Sequence, residues 1–172
     1  MRNIRRFFAL FLAVVLTFGM ICSCTRDTTI EGIRSFSYSY SQNNTMYGYC
    51  SYSITKTDDG YEAYVKQMDV PDDESPRFPV DQETVDILVE LLNKHKVSGW
   101  DGFNKSDKNV LDGNGFELNI HMIEDDDGIS AHGYMKYPDG YSGFRDDMDS
   151  FFDRIMNEAM ADGTVVTGVS ED

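Results

Sequence analysis

The stretch GFELNIHMIE-DDD-GISAHGYMKY, residues 115–137, predicts a β-hairpin and decides the fold class. Apolar and polar residues alternate in both halves, as in strands that bury one face. A turn centred on Asp127 and Gly128 would place Leu118 opposite Tyr137 on the apolar face. The polar face would carry Glu117, Asn119, His121, His132, Tyr134 and Lys136.

Three more strands are predicted before the hairpin. The period-two pattern marks residues 33–41, 45–56 and 61–68, with a turn at 58–60 between the last two. Residues 70–79 contain three prolines and are predicted to be a loop, because proline cannot pair within a central strand.

Two helices complete the pattern. The first begins after Asp81 as N-cap, has an apolar stripe from Val85 to His95, and is predicted to stop at Gly99. The second extends from about residue 143 to 161 and has its own apolar stripe of Phe, Met and Ile residues.

The element order β-β-β-α-β-β-α predicts an α+β fold. Two helices with one apolar stripe each can cover one apolar sheet face. We therefore expect a mostly antiparallel five-stranded sheet with both helices packed on one face. The other face would be open to water or to a partner.

The N-terminal segment predicts export and lipid attachment. Three arginines precede an uncharged run from Phe7 to Ile21, which has the length of a secretory apolar region. Ile21-Cys22-Ser23-Cys24 then resembles a bacterial lipobox, in which Cys24 takes the lipid. An ordinary cleaved signal peptide with a soluble product is the alternative.

The predicted organisation follows from this cleavage. Residues 1–23 are the lipoprotein signal peptide, 24–32 a lipidated tether, 33–161 a single domain, and 162–172 a flexible C-terminal tail. The mature chain would be anchored in the cell membrane and face outside the cytoplasm, in the cell envelope. Palmitate is the expected lipid.

The charge excludes one class of partner. The chain has 30 acidic and 15 basic residues, and loss of residues 1–23 changes its formal charge from −15 to −18. Such a surface repels phosphate backbones, so nucleic-acid binding is not expected. After processing, Cys50 is the one thiol left, and no internal disulfide can form.

Two short motifs carry a resemblance. WDGFxKS at 100–106 and DGxGFxLxI at 112–120, followed by Gly133 and Tyr137-Pro138, resemble an uncharacterised family of small exported α+β domains and lipoproteins of anaerobic gut-type bacteria. The resemblance spans roughly residues 80–160. It implies the fold and the location, and it supplies no catalytic residues.

The open sheet face is the predicted binding site. Tyrosine with serine is typical of adaptable binding surfaces, because tyrosine gives contact area and a hydroxyl at low entropic cost. An envelope protein or a glycan would be the partner. An ordinary solvated sheet face has the same composition. The predicted site residues are Tyr47, Tyr49, Tyr64, Tyr134, His121 and His132.

The alternative function is a small metal-assisted hydrolase. His121 and His132 would lie on diagonal positions of the hairpin and share a metal with Glu117. The acidic turn at 124–127 lacks the spacing of a calcium loop, and no nucleophile or phosphate-binding motif is present. No cofactor is expected, and a non-catalytic binding module is the preferred interpretation. A structural accessory domain is a third.

Overall fold

The computed structural model describes residues 29–41, 48–68, 70–110, 113–123 and 128–167. The predictions for the signal peptide, Cys24, Tyr47 and the turn at 124–127 lie outside these residues. The elements in chain order are β1 (Ile33–Ser41), β2 (Tyr49–Thr57), β3 (Gly60–Lys66), β4 (Arg77–Val80), α1 (Gln82–Lys94), β5 (Asn104–Ser106), β6 (Gly115–Met122), β7 (Gly128–Tyr134) and α2 (Tyr141–Asp162).

The α+β class is as predicted, but the sheet has seven strands rather than five. Their order is β4-β3-β2-β1-β6-β7-β5, with β1 in the centre. The described pairs are antiparallel except for β5 with β7, so the sheet is mixed. The prediction of a mostly antiparallel five-stranded sheet therefore missed two short strands, one at each edge.

Strand β4 lies in the proline-rich stretch that was predicted to be a loop. Pro79 pairs opposite Glu62 of β3, where an edge strand tolerates the missing N–H. The outer side of β4 meets the C-terminal segment, since Arg77 and Val166 exchange two backbone hydrogen bonds of 2.9 and 2.8 Å. Val166 is thus paired, and the predicted flexible tail 162–172 is fixed up to this point.

Strand β5 was predicted to be part of a link. It has three residues, all exposed, and pairs in parallel with β7 through Asn104 opposite His132. A strand this short leaves no alternation to detect in the sequence.

The hairpin of β6 and β7 has the predicted faces and a different register. Leu118 lies opposite Ala131, not Tyr137, because the connection is longer than a two-residue turn. The shift is by an even number of residues, so each side chain keeps its face. Strand β7 ends before Met135, whose φ of 54° breaks the extended conformation.

The helices begin close to their predicted positions. The Asp81 side chain accepts a 2.8 Å hydrogen bond from the Thr84 N–H, which confirms the predicted N-cap of α1. The prediction that Gly99 stops this helix was wrong. Lys96 has a φ of 52° and takes the left-handed position that glycine usually occupies after a helix.

The core lies between both helices and one face of the sheet. It includes Cys50, which is buried, as predicted for an inert thiol. Ile30 is also buried, so the predicted tether 24–32 already contacts the core near its end. No helix in the described part of the chain is long and apolar enough to cross a membrane.

Candidate functional site

The open face consists of the strand side chains that point away from the helices. The registers join them in rows that run across the sheet. The central row contains Arg77, Tyr64, Ser53, Ser37, Asn119 and Ser130. The next row contains Lys66, Ser51, Ser39, Glu117, His132 and Asn104.

The middle of both rows is a strip of small hydroxyl side chains, here called the serine trough (Ser37, Ser39, Ser51 and Ser53). It arises because β1 and β2 alternate serine with buried aromatic or apolar residues at directly opposed positions. Larger side chains flank the trough on the neighbouring strands β3 and β6, and Tyr49 lies at the end of the trough on β2 itself. The face therefore has a low polar floor between two higher walls.

The first wall contains Tyr64 and Tyr49, each held by a cation. The guanidinium carbon of Arg77 lies 4.6 Å from the centroid of the Tyr64 ring, and the ammonium of Lys66 lies 4.3 Å from that of Tyr49. Both contacts are cation–π interactions. They fix the orientation of the two rings beside the trough.

Lys66 is the residue of the open face whose burial differs most from that of an ordinary solvated side chain. Its side chain is fully buried, although it starts on the open side of β3. Residues 70–76 fold back over it, and Asp72 lies 3.4 Å from its ammonium. The same carboxylate accepts a 3.0 Å hydrogen bond from the Tyr49 hydroxyl. In the first wall, the Lys66 ammonium is thus enclosed by the loop 70–76 and the ring of Tyr49.

The second wall contains Tyr134, His132 and Glu117. His132 lies directly opposite Glu117, and the Tyr134 ring lies close to the backbone of Gly113 and Gly115. In the adjacent row on the same two strands, the Asn119 amide oxygen accepts a 3.0 Å hydrogen bond from the Ser130 hydroxyl. These side chains are exposed or half-buried.

The structure does not bring the three predicted metal ligands together. His121 lies opposite Gly128, four residues along β6 from Glu117, which is about 13 Å of strand. Only Glu117 and His132 are neighbours. Within the described ranges, no group of three or more His, Cys, Asp or Glu side chains is placed to hold a metal ion.

A second polar cluster lies on the helix side of the sheet. The carboxylate of Asp149 in α2 accepts hydrogen bonds from the Tyr52 hydroxyl, at 2.8 Å, and the Tyr40 hydroxyl, at 2.9 Å. Nearby, the hydroxyls of Tyr38 and Tyr141 are 2.9 Å apart. The strand and helix patterns of the sequence did not predict this cluster.

Burial controls the ionisation of this cluster. It raises the pKa of Asp149, and the hydrogen bonds from Tyr52 and Tyr40 offset part of that rise. Burial also raises the pKa of Tyr141 to about 12. A signal was available in the sequence, because buried tyrosine hydroxyls need hydrogen-bond partners. Four tyrosine hydroxyls and one carboxylate satisfy one another here, so the cluster fixes α2 on the sheet.

The strand positions of the open face carry equal numbers of acids and bases, but one of the bases is buried under an acidic loop. Its paired positions include two acids, Glu62 and Glu117, and two bases, Lys66 and Arg77. The whole chain has a formal charge of −15. Lys66, however, is fully buried and lies against Asp72, and the loop that covers it also exposes Asp73 and Glu74, so the surface beside the trough is acidic.

No family model matches this chain, and no curated protein is significantly similar to it. The resemblance to small exported domains of gut-type bacteria, based on residues 100–106 and 112–120, stays a prediction.

Proposed function

We propose that this protein is a lipid-anchored, non-catalytic binding module of the bacterial cell envelope, and that its open face binds a neutral glycan. The observation that carries the proposal is the serine trough between two walls of larger side chains. Serine hydroxyls both donate and accept hydrogen bonds, which matches the hydroxyls of a sugar chain. The flanking tyrosines supply ring surface beside the trough.

A glycan fits the face better than an envelope protein does. The core of a protein interface is depleted of charged residues and enriched in apolar and aromatic area. The floor of the open face is the serine trough, and the described positions beside it include Thr55 and Asn119. Such a floor offers hydrogen bonds and little apolar area, which favours a hydroxylated partner.

The acidic surroundings of the face favour a neutral ligand. Acidic polysaccharides would be repelled by the surrounding surface, since the chain carries a formal charge of −15. A neutral sugar chain has no such cost.

The proposed anchor keeps the face near the membrane. With lipid on Cys24, five residues separate the anchor from Ile30, and the six residue-to-residue steps span at most about 20 Å. Because Ile30 is buried in the domain, this distance is an upper limit for the tether. The domain would then bind glycans close to the outer surface of the membrane.

The metal-assisted hydrolase gains no support from the register. Its three ligands would have to include His121, which lies two side-chain positions away from the Glu117–His132 pair. We do not advance it as a second function.

Affinity electrophoresis tests the glycan proposal. The purified full chain is run in gels that contain dextran, pullulan, arabinoxylan or mixed-linkage glucan. We expect at least one polysaccharide to retard the chain, and Ser37→Arg, which fills the trough, to abolish the retardation. Ser150→Arg on the exposed side of α2 makes the same chemical change and should leave it intact. Mobility unaffected by every polysaccharide, or equal loss in both variants, would overturn the proposal.

Labelled palmitate tests the anchor independently. We expect incorporation to be lost in Cys24→Ser and kept in Cys22→Ser and Cys50→Ser. Equal incorporation in all three variants would contradict lipid attachment at Cys24. This outcome is separate from glycan binding, so the two parts of the proposal can fail independently.

A further inference from the structure

A cleft of about 610 Å³ opens on the helix side of the molecule, outside the open face. It lies between the end of α1, the turn at 97–100, strand β5 and the loop that leads into α2. Its volume is in the range of small-molecule sites. We call it the lysine cleft, because its lining includes Lys94, Lys96 and Lys105.

The charge of the lysine cleft is opposite to that of the chain. Three lysines and one acidic residue, Asp139, line it, whereas the chain has twice as many acidic as basic residues. Asp147 engages Lys94 at 2.6 Å and His95 at 2.7 Å from outside the lining. In the described part of the chain, Lys96 and Lys105 make no ion pair. Two ammonium groups thus remain available for an anion.

The conformation of Lys96 adds to this argument. It occupies the left-handed position after α1 with a φ of 52°, where a side chain is strained and glycine is favoured. A lysine at this position costs stability, and among the described residues Lys96 lines the cleft without an ion pair to an acidic neighbour. Strain of this kind is often found at functional sites.

Aromatic rings form the rest of the wall. Trp100 is buried, and Phe103 and Tyr137 are partly exposed. The Lys105 ammonium lies 5.1 Å from the centroid of the Phe103 ring, so a cation and a ring share one side of the cleft. The start of α2, where Gly140 has no side-chain cap and the first turn has no acidic residue, borders the same space.

We propose that the lysine cleft binds a small organic anion that carries a ring. Lys96 and Lys105 hold its carboxylate or phosphate group, and the ring packs against Trp100 and Tyr137. This ligand differs in charge and size from the glycan proposed for the open face. The two sites are therefore independent.

Trp100 gives a direct readout, because it is the only tryptophan of the chain and lines the cleft. The purified full chain is titrated with phenyl phosphate, benzoate, inorganic phosphate and benzylamine while tryptophan emission is recorded. We expect saturable changes with phenyl phosphate or benzoate, a weaker response to inorganic phosphate, and none to the cation benzylamine. The stronger of the two ring-bearing anions identifies the acid group.

Variants separate binding from folding. Lys105→Gln and Lys96→Gly should each weaken the affinity about tenfold, as expected for loss of one charge-assisted hydrogen bond. Lys96→Gly should at the same time keep or raise the urea midpoint, since glycine relieves the strained backbone. Lys56→Gln, an exposed lysine on β2, is the matched control and should bind like the wild type.

Three results would overturn the proposal. They are no saturable response to either ring-bearing anion, an equal response to benzylamine, and an affinity that Lys105→Gln leaves unchanged. Lys105→Gln is decisive even if Lys96→Gly folds poorly, because Lys105 is exposed on an edge strand.

Discussion

The side-chain amide of Asn93 binds both backbone groups of Ile30. Its Oδ1 accepts a 2.9 Å hydrogen bond from the Ile30 N–H, and its Nδ2 donates a 2.8 Å bond to the Ile30 carbonyl. The amide thus makes the two hydrogen bonds to Ile30 that the backbone of a neighbouring strand would make. Helix α1 thereby fixes the chain just before β1 begins.

Asn93→Asp should therefore destabilise the fold by about 1–3 kcal/mol, because a carboxylate cannot donate to the Ile30 carbonyl and leaves it unsatisfied. The urea midpoint measures the effect. Asn104→Asp on the exposed edge strand β5 makes the same change of charge and should shift the midpoint little. Equal shifts in both variants would show that charge, not the paired hydrogen bonds, is responsible.

The Asp149 cluster predicts a dependence of stability on pH. Burial holds the pKa of Asp149 above its unfolded value of about 3.9. A carboxyl whose pKa is raised in the folded state stabilises the fold at pH values below its unfolded pKa, where it is protonated. This stabilisation is lost as the pH rises through the folded pKa. Arg145 opposes the rise in pKa, and Asp153 adds to it.

The free energy of unfolding of the wild type should thus fall relative to that of Asp149→Asn as the pH rises from about 4 into the neutral range. The carboxyl is about half-buried, so solvent screening keeps the fall modest. Urea titrations across the range measure it, with Asp73→Asn at an exposed position as control. A difference that stays constant with pH would mean that Asp149 titrates as it does in the unfolded chain.

Four buried tyrosines should ionise only at a higher pH than exposed tyrosines do. Burial raises the pKa of Tyr38, Tyr40 and Tyr52 well above the ordinary value and that of Tyr141 to about 12. In an alkaline titration followed by tyrosinate absorbance, we expect six of the ten tyrosines at most to ionise while the circular dichroism stays native. Tyr141→Phe should remove one late group. Smooth ionisation of all ten in the native state would contradict the buried cluster.

The α+β class and the faces of the strands could be predicted because periodicity depends only on local alternation. Serine alternating with aromatics in β1 identifies its two faces without knowledge of its partners. The N-cap at Asp81 is likewise local, and the structure confirms it.

What the sequence did not predict depends on partners far along the chain. The register of the hairpin failed because several acidic residues before Gly128 allow more than one turn length. Strand β4 was not predicted because proline is excluded from central strands. Pro79 lies in an edge strand, where proline is tolerated. Asp149 was interpreted only as an acid near a helix N-terminus, since the hydroxyls that bind it come from β1 and β2.

Substitution of Gly133 by a larger residue should cause a severe steric clash. A Cβ at this position would collide with the carbonyl oxygen of Lys136 and the ring of Phe116. Gly133→Ala should destabilise the fold by about 3 kcal/mol, at the upper end for overpacking, because one of the obstacles is backbone. Gly99→Ala has no atom within 4 Å of the new Cβ and should be nearly neutral. Thermal unfolding of both variants provides the comparison.

The loop over Lys66 predicts a difference between two tyrosine substitutions on the open face. Tyr49 covers the Lys66 ammonium with its ring and binds Asp72 through its hydroxyl, so Tyr49→Ala should release residues 70–76. Cleavage after the exposed Glu74 by a glutamate-specific protease should then accelerate severalfold. Tyr49→Phe keeps the ring and loses only an exposed hydrogen bond of about 0.5–1 kcal/mol, so its cleavage should change little. Tyr64→Ala removes the ring under Arg77 and should leave the loop closed. If Tyr64→Ala accelerates cleavage as much as Tyr49→Ala does, the loop is held by the sheet as a whole and not by the ring that covers Lys66.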